Sequence, residues 1–449
     1  MKIEWVNHAS YVVRSKTIHL ITDPWLFGAV FNNGWDLLSE TRFAIEDFST
    51  VTHIWLSHEH PDHFSPPVLK AIPQAIREKL VVIYQKTRDR KVLDYCEQLG
   101  FKTKTLIPFK WMELATDFRV LCGTSFFVDS WLLVENEGKK ILNLNDCVID
   151  TQPKAKAIFR KTGIVDVLLS QFSYASWISN AEELEARKKA GDARLQRLAL
   201  QISTFRPTFI IPFASFVYFS HAENQFLNNG ANHVDRVYAF LSGLHSAQPV
   251  VLYPGEGWTV GDAHDNGGSL ERYNSDYLQQ KVLHNSQSVP LHELESLATQ
   301  YCLRLRKKNS PWLLKLMGSR LVGLFKPIRI RLNDLEIAVE FDLDKGLRLA
   351  ELGSSGPIPA IELHSESLAY LLRFEWGFDT LRVNGRFRAN RPEYGAAVRT
   401  LSVAVLNNAG RSVRPALVLN PRLIGLGISK LMRSRELSHA QVFTVPKTR

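Results

Sequence analysis

Apolar residues in the first part of the chain come in short runs, each closed by polar or turn-forming residues. "YVVRS" (11–15), "IHLITD" (18–23) and "THIWLS" (52–57) read as strands. Helical spacing follows in "SPPVLKAIPQAIREKL" (65–80) and "RKVLDYCEQLG" (90–100), where Gly100 is placed to end the helix. Strands return at "LVVIYQ" (80–85), "FRVLCG" (118–123), "DSWLLVENEGKKILNLND" (129–146) and "VDVLLS" (165–170), with "NEGKK" as a hairpin turn. A long charged helix is expected over roughly 180–204, ahead of a buried strand, "PTFIIPF" (207–213). Strands first and strand–helix alternation afterwards predict stacked sheets flanked by helices.

The stretch 259–290 is polar and rich in Gly and Asn, and reads as loop or linker. This divides the chain into a first domain over 1–270, a linker over 271–294 and a C-terminal α+β domain over 295–449. Charge marks the same boundary. Residues 301–449 hold 25 Lys and Arg against 12 Asp and Glu, whereas the remainder holds 30 against 33. The basic part suggests an anionic partner, or simply a well-solvated basic surface. The four cysteines, 96, 122, 147 and 302, form no Cys-x-x-Cys pair, which argues for a reducing cytoplasm and against a disulfide framework. The sequence has no apolar run of membrane-span length, and "MKIEWVNHAS" lacks the pattern of a signal peptide.

The chemistry concentrates in "WLSHEHPDHFSPP" (55–67), at the end of a predicted strand. His58 and His60, two apart in an extended loop, aim at one point; Asp62 and His63 aim at a neighbouring one. Imidazoles with a carboxylate and no nearby cysteine suit Zn or Fe. A His-rich loop that is merely polar explains four potential ligands at one strand end less well.

The spacing His-x-His-x-Asp-His resembles the signature of the metallo-β-lactamase superfamily, whose fold is a four-layer αββα sandwich. The resemblance implies that Asp146, in "ILNLNDC", bridges two metal ions and that His221, in "FSHAEN", is the last ligand. It also implies that Asp23, in "ITDPWL", steadies the ligand loop; a turn-capping Asp before proline is the alternative. The segments "DPWLFGAVFNNGW", "LSHEHPDHFSPPVL", "DSWLLVENEGKKILNLNDC" and "PFASFVYFSHAENQFL" are similar, in collinear order over roughly 5–260, to the metallo-β-lactamase portion of the CMP-N-acetylneuraminate hydroxylases. That family implies iron and an oxygen-dependent hydroxylation of a nucleotide sugar. Two departures stand out. The Cys-x-His and Cys-x-x-His pair of that family's Rieske domain is absent, so electrons would come from a separate donor. A superfamily histidine ahead of the bridging Asp is also missing: no histidine lies between His63 and His221, and Ser125 takes the place. Ser125, Phe127 and Asp129 share one strand face, so Asp129 is either a substitute carboxylate or an ordinary strand-start residue.

Two mechanisms fit such a site. Paired metals lower the pKa of a bound water for hydrolysis, with Asp62 orienting the hydroxide. Alternatively, a dinuclear iron site activates O2. The reading adopted is the iron oxygenase, acting on an anionic, nucleotide-sugar-like or lipid-linked substrate. A zinc or manganese hydrolase of an ester, amide or phosphodiester and a noncatalytic metal-binding scaffold are the alternatives. Outside the ligand set, His8 reads as a satisfied core or turn histidine, with the site floor as the alternative, and Cys147 as a small buried residue. The run "EARKKAGDARLQR" (185–197) reads as a solvated helix face, some of whose cations would meet substrate phosphates in the hydroxylase-like reading.

From Arg304 to Arg331 the chain carries nine basic residues and no acid, interleaved with apolar ones such as Trp312, Leu316 and Val322. The pattern suits a helix resting on anionic lipid, or one packed on its own domain; no nucleic-acid motif accompanies it. "IELHSESLAYLLRFEWGFDTLRVNGRFRA" (361–389) predicts a helix leading into a strand and a Gly turn, and faintly resembles a sterol-carrier-like module. A cytoplasmic protein with peripheral membrane contact is the resulting expectation.

Overall fold

A computed structural model describes residues 1–125, 129–319, 322–351 and 358–415; Phe127 and the chain after 415 lie outside the described residues. Two seven-stranded sheets form the first unit. One runs in the order 257–259, 2–7, 10–14, 19–22, 53–56, 81–85, 102–106, and its last four strands are parallel. The other runs 248–249, 209–213, 167–171, 139–143, 130–136, 118–124, 111–115.

Strict alternation explains how the sheets stack. Trp55 and Ile83 point into the core shared by both sheets, with Trp5, Tyr11, Phe118, Val120 and Leu142. Their neighbours Ile54, Leu56, Val82 and Tyr84 point the other way, onto Val68, Leu69, Val92 and Cys96 of the covering helices. The second sheet is backed by helices Gln152–Thr162, Leu184–Phe205 and Val234–Gly243, whose Ile158, Leu198 and Val237 join the main core. The result is the expected helix–sheet–sheet–helix sandwich. The hairpin at Glu137–Gly138 has φ of +50° and +76°, the left-handed pair a tight two-residue turn requires.

Three expectations need correction. The polar stretch 259–290 is not all linker: Gly267–Leu278 is a helix of the first unit. Its buried Tyr273 stacks on Phe216 at 4.5 Å and donates to Leu252 O at 2.9 Å. Few of its residues face the core, and Gly and Asn hide the helical period. The basic segment from Arg304 is not one helix either. Leu291–Lys308 ends, and Pro311–Gly318 begins anew, because a proline fits the first turn of a helix but not its interior. Leu313 and Leu314 are buried there, while Trp312, Leu316 and Val322 stay exposed. In 361–389, the span read as a strand is the helix Gly377–Asn384, closed by Gly385 at φ +67°.

The second unit has its own core, from Leu294 to Val413, around a five-stranded sheet in the order 346–350, 337–342, 328–332, 361–363, 388–389. The hydrophobic clusters thus place the change of unit between Leu278 and Leu291.

A close approach in the first unit is open to test. A Cβ on Gly123 would stand 2.0 Å from the Trp131 ring, which is buried and has no room to move away. Gly123→Ala is expected to cost about 1–3 kcal/mol, the usual range for overpacking. Denaturant unfolding of the purified chain checks this.

Candidate metal centre

The parallel strands 19–22 and 53–56 end at one rim of the sandwich, and the loops leaving them carry Asp23 and the histidine cluster. Asp23 (φ +38°) is fully buried and organises this rim. Its Oδ1 accepts the Ser57 backbone N–H at 2.7 Å. Its Oδ2 accepts Ser57 Oγ–H at 2.7 Å, Asn145 Nδ2 at 2.6 Å and His63 Nδ1 at 2.9 Å. One carboxylate thus ties the histidine loop to the loop of Asp146.

These bonds set which ring nitrogen of each histidine faces the cluster. Because Ser57 Oγ gives its proton to Asp23, it accepts from His58 Nδ1 at 2.9 Å, which leaves His58 Nε2 without a proton. His63 Nδ1 donates to Asp23, which turns its Nε2 toward Asp62 and Asp146. His60 Nε2 lies 3.0 Å from Asp379 Oδ2, a residue of the second unit. His60 Nδ1 then faces His58 Nε2 at 2.9 Å; burial opposes charge on the His60 ring, but Asp379, Asp62 and Asp129 push it up to about 9. A proton between these nitrogens or a metal cation beside them satisfies the pair.

The same holds a few ångströms away. His63 Nε2 lies 3.1 Å from Asp62 Oδ2 and 3.5 Å from Asp146 Oδ2, and makes no hydrogen bond. Asp146 Oδ2 also lies 4.0 Å from His58 Nε2, so it stands between the two clusters. Asp62 Oδ1 and both ring nitrogens of His8 are buried without partners, and His8 Nε2 is 3.4 Å from Asp62 Oδ2. Ligand atoms of His58, His63 and Asp146, and of His8, Asp62 and His63, fall within 4.8 Å of one another in two groups. Burial works against charge on the His63 ring, but Asp62, Asp146 and Asp23 together hold its pKa well above the ordinary value. Burial likewise opposes ionisation of Asp62, yet His63 and His8 hold that carboxyl well below its usual range. The side chains of Asp146 and His60 remain 22% and 24% exposed, so the rim is open to solvent.

The residues therefore fit a pair of divalent ions. His58, His60 and Asp146 would hold the first; Asp62, His63 and Asp146, with His8, the second. Of the residues the sequence singled out, His58, His60, Asp62, His63 and Asp146 come together. His221 does not join either group, and this corrects the expectation. Its backbone bridges to His284, its Nδ1 accepts the Glu223 N–H at 3.2 Å, and Arg386, Glu223, His284 and His364 surround it. His8 instead groups with Asp62 and His63, set in a two-residue turn with φ +43°. Ser125 and Asp129 lie beside this rim: burial pushes the Asp129 carboxyl up to about 7, with His60 and Asp146 among its charged neighbours. Asp379 was not foreseen at all.

Residues 2–187 match the family model described as the beta-lactamase superfamily domain. The chain is 31% identical over 154 residues to the cytidine monophosphate-N-acetylneuraminic acid hydroxylase of Xenopus laevis, a match covering 33% of this chain and 26% of that one. It is 27% identical over 244 residues to the Cricetulus griseus protein of the same name, covering 51% of this chain and 42% of the relative. Among solved structures, CmlA, a diiron β-hydroxylase from Streptomyces venezuelae, aligns with a TM-score of 0.43 and 14% identity, covering 57% of this chain and 53% of that chain. The chain carries a metallo-β-lactamase superfamily domain that resembles the corresponding portion of the CMP-N-acetylneuraminic acid hydroxylases. The matches span less than half the length of these curated relatives.

Two variants separate the last ligand. His8→Ala is expected to lower the bound metal from two ions per chain toward one, while His221→Ala leaves it at two. Elemental analysis of each purified variant is the check.

Proposed function

We propose that the chain is a dinuclear iron oxygenase that hydroxylates an anionic compound, with a separate protein supplying electrons. The convergence of His58 Nε2, His60 Nδ1, His63 Nε2, Asp62 and Asp146 at one strand-end rim carries the metal reading. Hydroxylase rather than hydrolase chemistry is supported by the relatives, which are hydroxylases by name. When bound, paired iron ions would supply O2 activation.

The chain's own groups supply position and charge. Asp146 stands between the two histidine clusters and is suited to hold both ions at a fixed spacing. Asp62 presents Oδ1 without any other partner, and in an oxygenase its role is to bind metal rather than to aim a hydroxide. Cys147, beside Asp146, is buried, and burial holds its thiol well above the ordinary range, so it stays protonated and unreactive.

An anionic substrate is supported by the helix Leu184–Phe205. Arg194 Nη1 and Arg197 Nε are buried without hydrogen-bond partners, and Arg194 stands close enough to Asp146 to feel its charge. Burial, and the neighbouring Arg197, push Arg194 down to about 9. Two neighbouring guanidiniums, each with one buried nitrogen lacking a partner and with Arg194 near Asp146, suit a phosphate or carboxylate. The exposed Trp312, Leu316 and Val322 on the basic segment support peripheral contact with anionic lipid. No helix among the described residues is long and apolar enough to cross a membrane.

Anaerobic purification followed by elemental analysis tests the reading. About two irons per chain, with oxygen consumed only when a reductant and an anionic N-acyl sugar nucleotide are both supplied, is the expected result. Zinc at full occupancy together with oxygen-independent hydrolysis would replace it with the hydrolase.

A further inference from the structure

We propose that Asp379, from the second unit, is a positioning residue for His60, so that the first metal position is complete only when the second unit is docked. The inference rests on the metal reading above. Each of the three histidines of the 58–63 loop has its outer nitrogen tied down, whereas His8 has neither nitrogen anchored. For His58 the anchor is Ser57 and for His63 it is Asp23, both in the first unit. For His60, the first unit offers no such partner among the described residues; the anchor is Asp379, 319 residues further along the chain. A carboxylate on the outer nitrogen fixes the ring orientation, holds the neutral ring's one proton on that nitrogen and makes the inner nitrogen a stronger donor to a metal.

Asp379 is held where it is by the fit between the units. Its helix, Gly377–Asn384, presses its C-terminal end against the loop 31–34 of the first unit. Asn384 Nδ2 donates to Phe31 O at 2.9 Å, and Asn384 O accepts Asn224 Nδ2 at 2.7 Å, which also donates to Gly34 O. A Cβ on Gly34 would meet Asn384 Cβ at 2.4 Å, so the approach is as close as glycine permits. The fully buried Arg386 donates to Asn32 O at 2.6 Å and pairs with Glu223 and Glu366. Phe31, Asn32 and Asn33 all hold positive φ, between +52° and +57°, so the loop receiving the helix is itself in a costly shape. Trp376, one turn before Asp379, sets its ring edge-on to His60 at 6.4 Å. An ordinary ion pair between units would need none of this placement at a metal ligand.

The alternative is that Asp379 merely stabilises docking. Chelator competition with Co2+ on the full chain separates the two, using wild type, His60→Ala, Asp379→Asn and Asp379→Glu, with the visible spectrum of bound cobalt as second readout. Asn keeps the shape, but its amide can turn an N–H toward His60 Nε2, which would shift the ring proton to Nδ1. Asp379→Asn is expected to lose about 10–100-fold in affinity at one cobalt position and to change its spectrum, leaving the other unchanged. Asp379→Glu is expected to recover part of both. Wild-type affinity and spectrum in Asp379→Asn, with one cobalt lost in His60→Ala, would overturn the role of Asp379 and leave the metal reading intact. No difference between wild type and His60→Ala would remove the metal reading itself.

Discussion

Everything at this rim follows from how three imidazoles are turned. Ser57, Asp379 and Asp23 occupy the outer nitrogens of His58, His60 and His63, so the inner nitrogens of His58 and His63 turn toward Asp146 and Asp62, and that of His60 meets His58. Water does not reach most of them. A buried polar atom without a partner costs about 1–3 kcal/mol, and His8, Asp62 and His63 together present several such atoms. A divalent cation at each group would answer that cost for nitrogens and carboxylates at once. Backbone strain points the same way: His8, Asp23 and Asn145 hold positive φ around one site.

The scaffold makes this geometry possible by stacking two sheets. Strands 19–22, 53–56 and 139–143 end at the same rim, so residues far apart in sequence arrive within ligand distance. The second unit is part of this arrangement rather than an appendage. Asn384 and Arg386 bind loop carbonyls of the first unit, and Asp379 reaches a ring of the cluster. The open rim at Asp146 and His60 is thus bordered by both units, with the Arg194 and Arg197 guanidiniums on the helix behind.

How much of this was legible in the sequence depended on how local the signal was. The sandwich strands were readable because alternation is a local property: Ile54, Trp55 and Leu56 sort to opposite faces by period alone. His58, His60, Asp62 and His63 were readable because four ligand types crowd one strand end. Asp146 needed the family resemblance, and the same resemblance misplaced His221, whose loop is drawn toward Glu223, His284 and Arg386 instead. His8 was undervalued because a lone histidine in a tight turn gives no pattern. Asp379 had no signal, since its role exists only through packing between units. The helix Gly267–Leu278 was missed because Ser269, Tyr273 and Asp276, its buried positions, include two polar residues that find partners only in the fold.

Anomalous diffraction from anaerobically grown crystals of the full chain would locate the ions. Density from a metal is expected beside His58 Nε2 and His60 Nδ1, and from a second beside His63 Nε2 and Asp62. Rings at 58, 60 and 63 turned away from one another, with no anomalous signal among them, would contradict the metal reading.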